Sequence, residues 1–478
     1  MQKKFLLSLV FLLFFCFNFA SAQTVDEETF YIDPNFSEGN LNYTLKASLI
    51  SESNGIKFYI DNDYWQLKSE EEQKEIKSLL KEISERFKIN RAKVVSIFGS
   101  EKSPGIDNDP SLTVLLYDLK GDNRGYVRTI DTYEKIVAPF SNQREMVYLD
   151  VDKIDSPFFD SFLIHEYTHL ITFNQRPSIF EDDKEVWLSE LYSEYAASII
   201  ESNPNVYSYL DQRVRDFFKN PSASVTAWDG DIYDYASVLM FAEYIVDQYG
   251  QKVLKDALKS TERGMDVFTD ALQKNGFEKT IEGVFRDWII ALAVNDCSVG
   301  EKYCYKNVKL KNFTVFPFNN FLPYSGETVI SIGQSISNWS GQWQKFSGGA
   351  GDLTIDFDGE DNSEIKASYI AKTQKDSIVV GDLELNEERN GQVVIPDMDE
   401  KYQYIVIAPF LTDVDIDSND LELSYRMSAK ILPGGDQIED ENTLQNVLNL
   451  AKPLQEMSTR ELLILLVKVL LLRQGYEI

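Results

Sequence analysis

Both histidines of this 478-residue chain fall in one short segment, Ser161–Leu170, which reads SFLIHEYTHL. They occupy the pattern His165-Glu166-x-x-His169. On an α-helix, positions i and i+4 share a face about 6 Å apart along the axis. Two imidazoles at that spacing can bind one Zn2+. Glu166, about 100° round the helix, then faces a metal-bound water and can serve as its general base. Phe162, Leu163, Ile164 and Leu170 supply apolar surface to bury the other faces. Two packed histidines that coincide with the pattern are the bland alternative. Against it, every histidine of the protein sits at ligand spacing.

A catalytic zinc takes three protein ligands and keeps one position open. With no third histidine and no suitable cysteine, the remaining ligand is expected to be a carboxylate. Residues 185–197 read EVWLSELYSEYAA, a predicted helix carrying Glu185, Glu190 and Glu194. Glu190 and Glu194 lie i,i+4 on one face, and the interval from His169 leaves room for a loop and a returning helix. Glu190 is the expected third ligand. Glu194, one turn on, is placed to accept a hydrogen bond from the far nitrogen of a ligand histidine and fix its tautomer. A solvated helix-face carboxylate would look the same at that position.

His165-Glu166-Tyr167-Thr168-His169 followed by Trp187-Leu188-Ser189-Glu190 resembles the gluzincin metallopeptidases, in which the second glutamate is the third zinc ligand. The chain is most similar to bacterial peptidase-MA-like and hyicolysin-like proteins. Their pattern, EM.Y.D, then the HExxH helix, then WL.E..SEY, is echoed by Glu145–Asp150 and Trp187–Tyr195. A following Y…YL…YG segment resembles Tyr235, Tyr244-Ile245 and Tyr249-Gly250. The likeness covers about 140–295 well and extends more weakly from 45. It implies a thermolysin-like catalytic core. There are departures. Leu191 stands where a Gly commonly follows the ligand glutamate, and no Gly follows Tyr235. The Gly-x-Met-Glu-Asn motif of gluzincin aminopeptidases is absent, which argues against strict N-terminal exopeptidase action.

The expected chemistry is peptide hydrolysis by a zinc-bound water, with Glu166 taking the water proton and passing it to the leaving amine. The tetrahedral oxyanion needs a second donor. Resemblance to the transition-state tyrosine of gluzincin aminopeptidases points to Tyr235, with Tyr233 in reserve, although a packed core tyrosine would read alike. The strand Met146–Leu149 could pair edge-on with an extended peptide substrate. An interior strand would have the same sequence.

The elements that must position these residues form an α+β chain. Its composition, 43% hydrophobic and 26% charged, is that of a globular protein. A formal charge of −30 disfavours nucleic-acid partners, which are held by phosphate neutralisation. Residues 1–22 read as a signal peptide, with Lys3 and Lys4, an apolar run over 5–20, and Ala20-Ser21-Ala22 as the cleavage site. The protein is therefore expected to be secreted or extracytoplasmic, with cell-surface association left open and no transmembrane anchor after cleavage. Cys297 and Cys304 suit a small-loop disulfide in an oxidising compartment. Residues 23–44 read as polar and irregular. Residues 45–305 read as the metallopeptidase domain, with strands near 49–60, 111–116 and 145–150 and a charge-laced helix over 69–87. Further helices are expected over 159–174, 184–201, 204–218, 234–248, 250–260, 265–274 and 278–294. Residues 306–432 change to short alternating runs broken by Gly- and Asp-rich turns, as in a β-sandwich. Residues 433–478 read as a linker and two helices, near 442–452 and 458–473. Leu462–Leu472 is apolar nearly all round, so it packs internally or meets a partner.

One further signal is weaker. Asp413, Asp415 and Asp417 alternate like the start of a Ca2+ loop, but Ser418 replaces the required Gly and Ser424 the closing carboxylate. Solvated turn carboxylates are the simpler account, so Ca2+ is a secondary candidate beside zinc. Two rival functions differ in class from an endopeptidase: a catalytically idle, peptidase-like surface binding protein, and a metallo-aminopeptidase. The intact general base argues against the first, and blocking a substrate's N-terminus separates the second.

Overall fold

The computed structural model describes residues 26–37, 43–200, 207–324 and 326–432. The expected signal peptide, the linker from 433 and the two C-terminal helices lie outside the described residues. The described chain is α+β and divides into two compact units. One comprises Met1–Arg215 and Gln251–Glu262, the other Asp216–Gly250 and Arg263–Ile478.

In the first unit, strands β1 (Glu27–Tyr31), β2 (Thr44–Ser53), β3 (Ile56–Asp61), β4 (Leu112–Tyr117), β5 (Gly125–Tyr126) and β6 (Met146–Asp150) form one sheet. Their order is β1-β2-β3-β4-β6-β5. β3, β4 and β6 run parallel, whereas β1, β2 and β5 pair antiparallel. The parallel strands β4 and β6 are buried at every residue, which explains their largely apolar sequences, LTVLLY and MVYLD. Two expectations are corrected here. The segment 23–44 is not wholly irregular: β1 pairs with β2, and Phe30 alone of its residues is buried. One core side chain per strand leaves a composition that reads as polar. β6 is not an edge strand, because the two-residue β5 covers its outer side at Tyr148 and Leu149.

The parallel step from β3 to β4 needs a long crossover. It is made by α1 (Asn62–Gln66) and α2 (Glu70–Phe98). α2 opens with a capping box, Ser69 and Glu72, and runs well past residue 87. No Gly or Pro interrupts it before Gly99, and Phe87, Asn90, Val94 and Ile97 continue its buried stripe. Helix α3 (Phe159–Gln175) packs against α2, against α4 (Val186–Ile199), and against β5 and β6. It is buried without a break from Ser161 to Thr172, so it is a core helix rather than an amphipathic surface one. The Tyr167 hydroxyl donates to Glu101, which also pairs with Arg91 of α2, fixing the rotation of α3.

The remaining helices are α5 (Tyr209–Lys219), α6 (Ile232–Tyr249), α7 (Gln251–Leu258), α8 (Asp266–Lys274) and α9 (Ile281–Val294). In the second unit the strands are β7 (Phe318–Leu322), β8 (Thr328–Ser337), β9 (Ser340–Gly341), β10 (Gln344–Gly348), β11 (Asp352–Gly359), β12 (Ile365–Thr373), β13 (Ile378–Asp382), β14 (Asn390–Ile395), β15 (Tyr402–Leu411) and β16 (Glu422–Leu432). One sheet is ordered β13-β12-β15-β10-β7 with β9 on β15, the other β14-β11-β16-β8. Phe346, Ile405 and Ile407 of the first share a core with Ile355, Phe357 and Met427 of the second, so the two form a sandwich. α9 rests on β12 and β15 of that sandwich, and a disulfide joins Cys297 to Cys304 just beyond it. No helix among the described residues is long and apolar enough to cross a membrane.

Candidate metal centre

The burial of α3 turns His165, Glu166 and His169 inward, where α4 packs alongside with Glu190 and Glu194. His165 Nε2 lies 3.1 Å from Glu190 Oε2 and 3.3 Å from His169 Nε2, and His169 Nε2 lies 3.5 Å from Glu190 Oε1. Two atoms bound to one tetrahedral zinc at about 2.0–2.1 Å are about 3.3 Å apart. The two Nε2 atoms and the two Glu190 carboxylate oxygens therefore converge at spacings close to those of ligands on one zinc. Glu190 Oε2 is buried without a well-formed hydrogen bond, a lone pair that a cation would satisfy. The donor set fits zinc. The His165, His169 and Glu190 side chains keep 11–13% exposure, so the triad is not sealed off from solvent.

The opposite nitrogens are held from behind. His165 Nδ1 faces Glu194 Oε1 at 3.3 Å. His169 Nδ1 is 2.9 Å from Ser189 Oγ and 3.2 Å from Ser193 Oγ, each able to accept its proton. Both rings can thus carry hydrogen on Nδ1 and leave Nε2 free as a ligand atom. Glu194 is fully buried and held by Arg213, whose Nη2 donates to Oε1 at 2.7 Å and Nε to Oε2 at 2.8 Å. The Tyr209 hydroxyl adds a bond to Oε1 at 2.6 Å. Burial opposes charge on Glu194, but Arg213 and His165 outweigh it and hold the carboxyl down at about 2.

Burial opposes charge on His165, yet Glu190 and Glu194 raise it to about 10, while burial lowers His169 to about 4. Glu166 is pushed up to about 8, chiefly by burial. Its Cγ lies against Gly125 of the edge strand β5, where a Cβ would fall 2.8 Å away. Tyr235 belongs to the second unit, on α6, with its ring edge-on to Trp228 at 4.9 Å. Tyr233 lies two residues earlier on that helix.

Gly125, Ser189, Ser193, Tyr209 and Arg213 are the site residues that sequence reasoning missed. The repeated Ser-Glu pair, Ser189-Glu190 and Ser193-Glu194, four residues apart, was the available signal for two of them. A second group of convergent carboxylates is formed by Asp118, Asp150 and Asp152. Asp150 there already accepts from the Asp152 amide and faces Lys153 at 3.9 Å. Among the described residues, the groups whose ligand atoms converge do not include Asp413, Asp415 or Asp417. Asp413 and Asp415 instead accept from the amides of Asp415 and Asp417 in tight turns.

No protein-family model and no curated protein matches the chain. Similar solved structures include the pre-peptidase C-terminal domain of collagenase from Bacillus anthracis, at 10% identity over 24% of this chain and 95% of that one, with a TM-score of 0.18. Another is a periplasmic inhibitor of g-type lysozyme from Aeromonas hydrophila, at 11% identity over 24% and 97%, with a TM-score of 0.17. At these TM-scores neither likeness bears on fold or function.

Proposed function

We propose that this protein is an exported, zinc-dependent metallopeptidase of gluzincin type, with a thermolysin-like catalytic unit and endopeptidase action on peptide or protein substrates. The observation that carries the reading is the convergence of His165 Nε2 and His169 Nε2, 3.3 Å apart, on the Glu190 carboxylate, whose Oε2 lies 3.1 Å from the first and whose Oε1 lies 3.5 Å from the second. When bound, zinc supplies a Lewis acid that polarises a scissile carbonyl and acidifies water. The chain's own residues do the rest. Ser189 and Ser193 orient His169, and Glu194 orients His165, so that both Nε2 atoms face the ligand position. Arg213 keeps Glu194 charged and therefore an acceptor. Glu166, one residue from the first ligand and braced by Gly125, takes a proton at its carboxylate and returns it to the leaving amine. The oxyanion-donor role of Tyr235 rests on the family resemblance alone. Export is supported by the pattern of residues 1–22 and by the disulfide.

Glu166→Gln tests the proposal. It keeps the side-chain volume and removes the base, so it is expected to retain zinc and lose at least about 10²-fold in kcat on a peptide substrate. Wild-type turnover by the zinc-loaded variant would refute the mechanism.

A further inference from the structure

Between β5 and β6 the chain makes a long excursion whose tip is apolar and exposed. Ile136 is 87% exposed, Val137 70%, Phe140 59%, Tyr133 42% and Ile130 40%, with Tyr43 at 65% stacked beside Phe140. Exposed apolar side chains gathered on one loop are a candidate interaction surface. The base of the loop is fastened firmly. Buried Asp131 accepts from the Tyr148 hydroxyl at 2.5 Å and the Asn142 amide at 2.8 Å, and faces Arg128 at 3.6 Å. Ser141 Oγ donates to the Tyr133 carbonyl, and Arg128 Nη2 to the Phe140 carbonyl. The Val137 and Ala138 amides close a turn on the Glu134 carbonyl. The apolar side chains are therefore presented on an ordered support and pay little ordering entropy on binding.

Packed rings link the loop, at Tyr133, to the metal centre. From His169, ring contacts step to Phe180 at 6.3 Å, then to Phe173 at 5.4 Å, then to Tyr133 on the loop at 6.2 Å. Together the three steps span at most about 18 Å, the reach of about five residues of extended chain. We propose that the loop 129–141 is a docking surface for polypeptide segments with bulky apolar side chains, held about five residues from the bond at the metal centre. The substrate assignment rests on the peptidase reading, whereas the surface itself does not. A polypeptide is favoured over an anionic lipid surface by charge. The chain carries −30, and the exposed tip adds only Glu134 and Lys135, so nothing there offsets repulsion from an anionic membrane.

The test uses the full chain freed of metal, so that binding is read without hydrolysis. The probe is a fluorescein-labelled twelve-residue peptide alternating Leu and Phe with Ser, compared with its all-Ser counterpart by fluorescence anisotropy. Wild type is expected to prefer the apolar peptide. Ile136→Asp/Val137→Asp is expected to weaken that binding at least about tenfold, in line with losing two partly buried aliphatic contacts. Leu67→Ser, at a residue 85% exposed elsewhere on the same unit, serves as the control and should bind as wild type does. Both sites are exposed, so the fold tolerates the changes. Equal binding by wild type and the loop variant overturns the proposal. So does co-sedimentation of wild type with phosphatidylcholine vesicles that the loop variant loses, which assigns the loop to lipid. Because no step requires zinc or turnover, failure of the peptidase reading leaves the binding result interpretable.

Discussion

Replacing Arg213 by methionine should be one of the most damaging single changes in the first unit, and the structure says by how much. Glu194 is fully buried, and the Arg213 side chain is only 4% exposed. Two short bonds from the guanidinium and one from Tyr209 satisfy the carboxylate. Removing the cation leaves a buried carboxylate with only Tyr209 and His165 beside it, a change that costs about 3–5 kcal/mol. Neutralising the partner as well, in Arg213→Met/Glu194→Gln, removes the stranded charge and should recover at least about 2 kcal/mol of that loss, because buried pairs replaced together are far better tolerated than broken ones. Glu194→Gln alone removes the carboxylate that the buried guanidinium faces and should also destabilise. The assay is urea unfolding of the four proteins, read by tryptophan fluorescence. The cycle is expected to show a coupling well outside the roughly 0.5 kcal/mol scatter of independent sites. Simple additivity of the two single changes would refute this description of how Glu194 is held.

Glu145 is buried to 5% exposure with Oε1 lacking a partner, and burial pushes its carboxyl up to about 7. The folded state thus holds this proton more tightly than the unfolded chain, so stability falls as pH rises from about 4.5 to 7 and stays lowered above it. Glu145→Gln should stabilise the protein by about 1–3 kcal/mol at pH 8, after allowing for solvent screening, and by almost nothing at pH 4, as melting at the two pH values will show. At Gly125, a methyl group would fall 2.8 Å from Glu166 Cγ and 2.9 Å from the Tyr148 carbonyl oxygen, which cannot move aside. Gly125→Ala should cost about 1–3 kcal/mol and at least tenfold in kcat while zinc content is kept, measured by metal analysis beside peptide hydrolysis.

How much of this was legible in the sequence depended on how local the cause was. Periodic apolar spacing located the helices from α3 to α9 to within a few residues at most ends, because each is set by its own pattern and its nearest Gly or Pro. The Ser69 capping box and Gly99 bound α2, whereas an end at 87 mistook a thinning of apolar residues for a terminus. β1 escaped notice because its partner strand supplies its hydrogen bonds and Phe30 is its sole buried side chain. His165, His169 and Glu190 could be brought together on paper because helical spacing and one returning helix suffice. Arg213 could not, since nothing in its own segment shows that α5 delivers a cation beneath Glu194. Gly125 looked like a loop glycine because its reason, the backbone touching Glu166, is a contact 41 positions away in sequence.

The central claim is that His165, His169 and Glu190 hold one zinc ion. Metal analysis of the purified chain after zinc reconstitution and removal of loose metal, with Glu190→Gln and Glu166→Gln alongside, tests it most directly. About one zinc per chain is predicted for wild type and Glu166→Gln, and less than about a tenth of that for Glu190→Gln. A wild-type chain that takes up no zinc, or a Glu190→Gln chain that retains it as wild type does, would contradict the account.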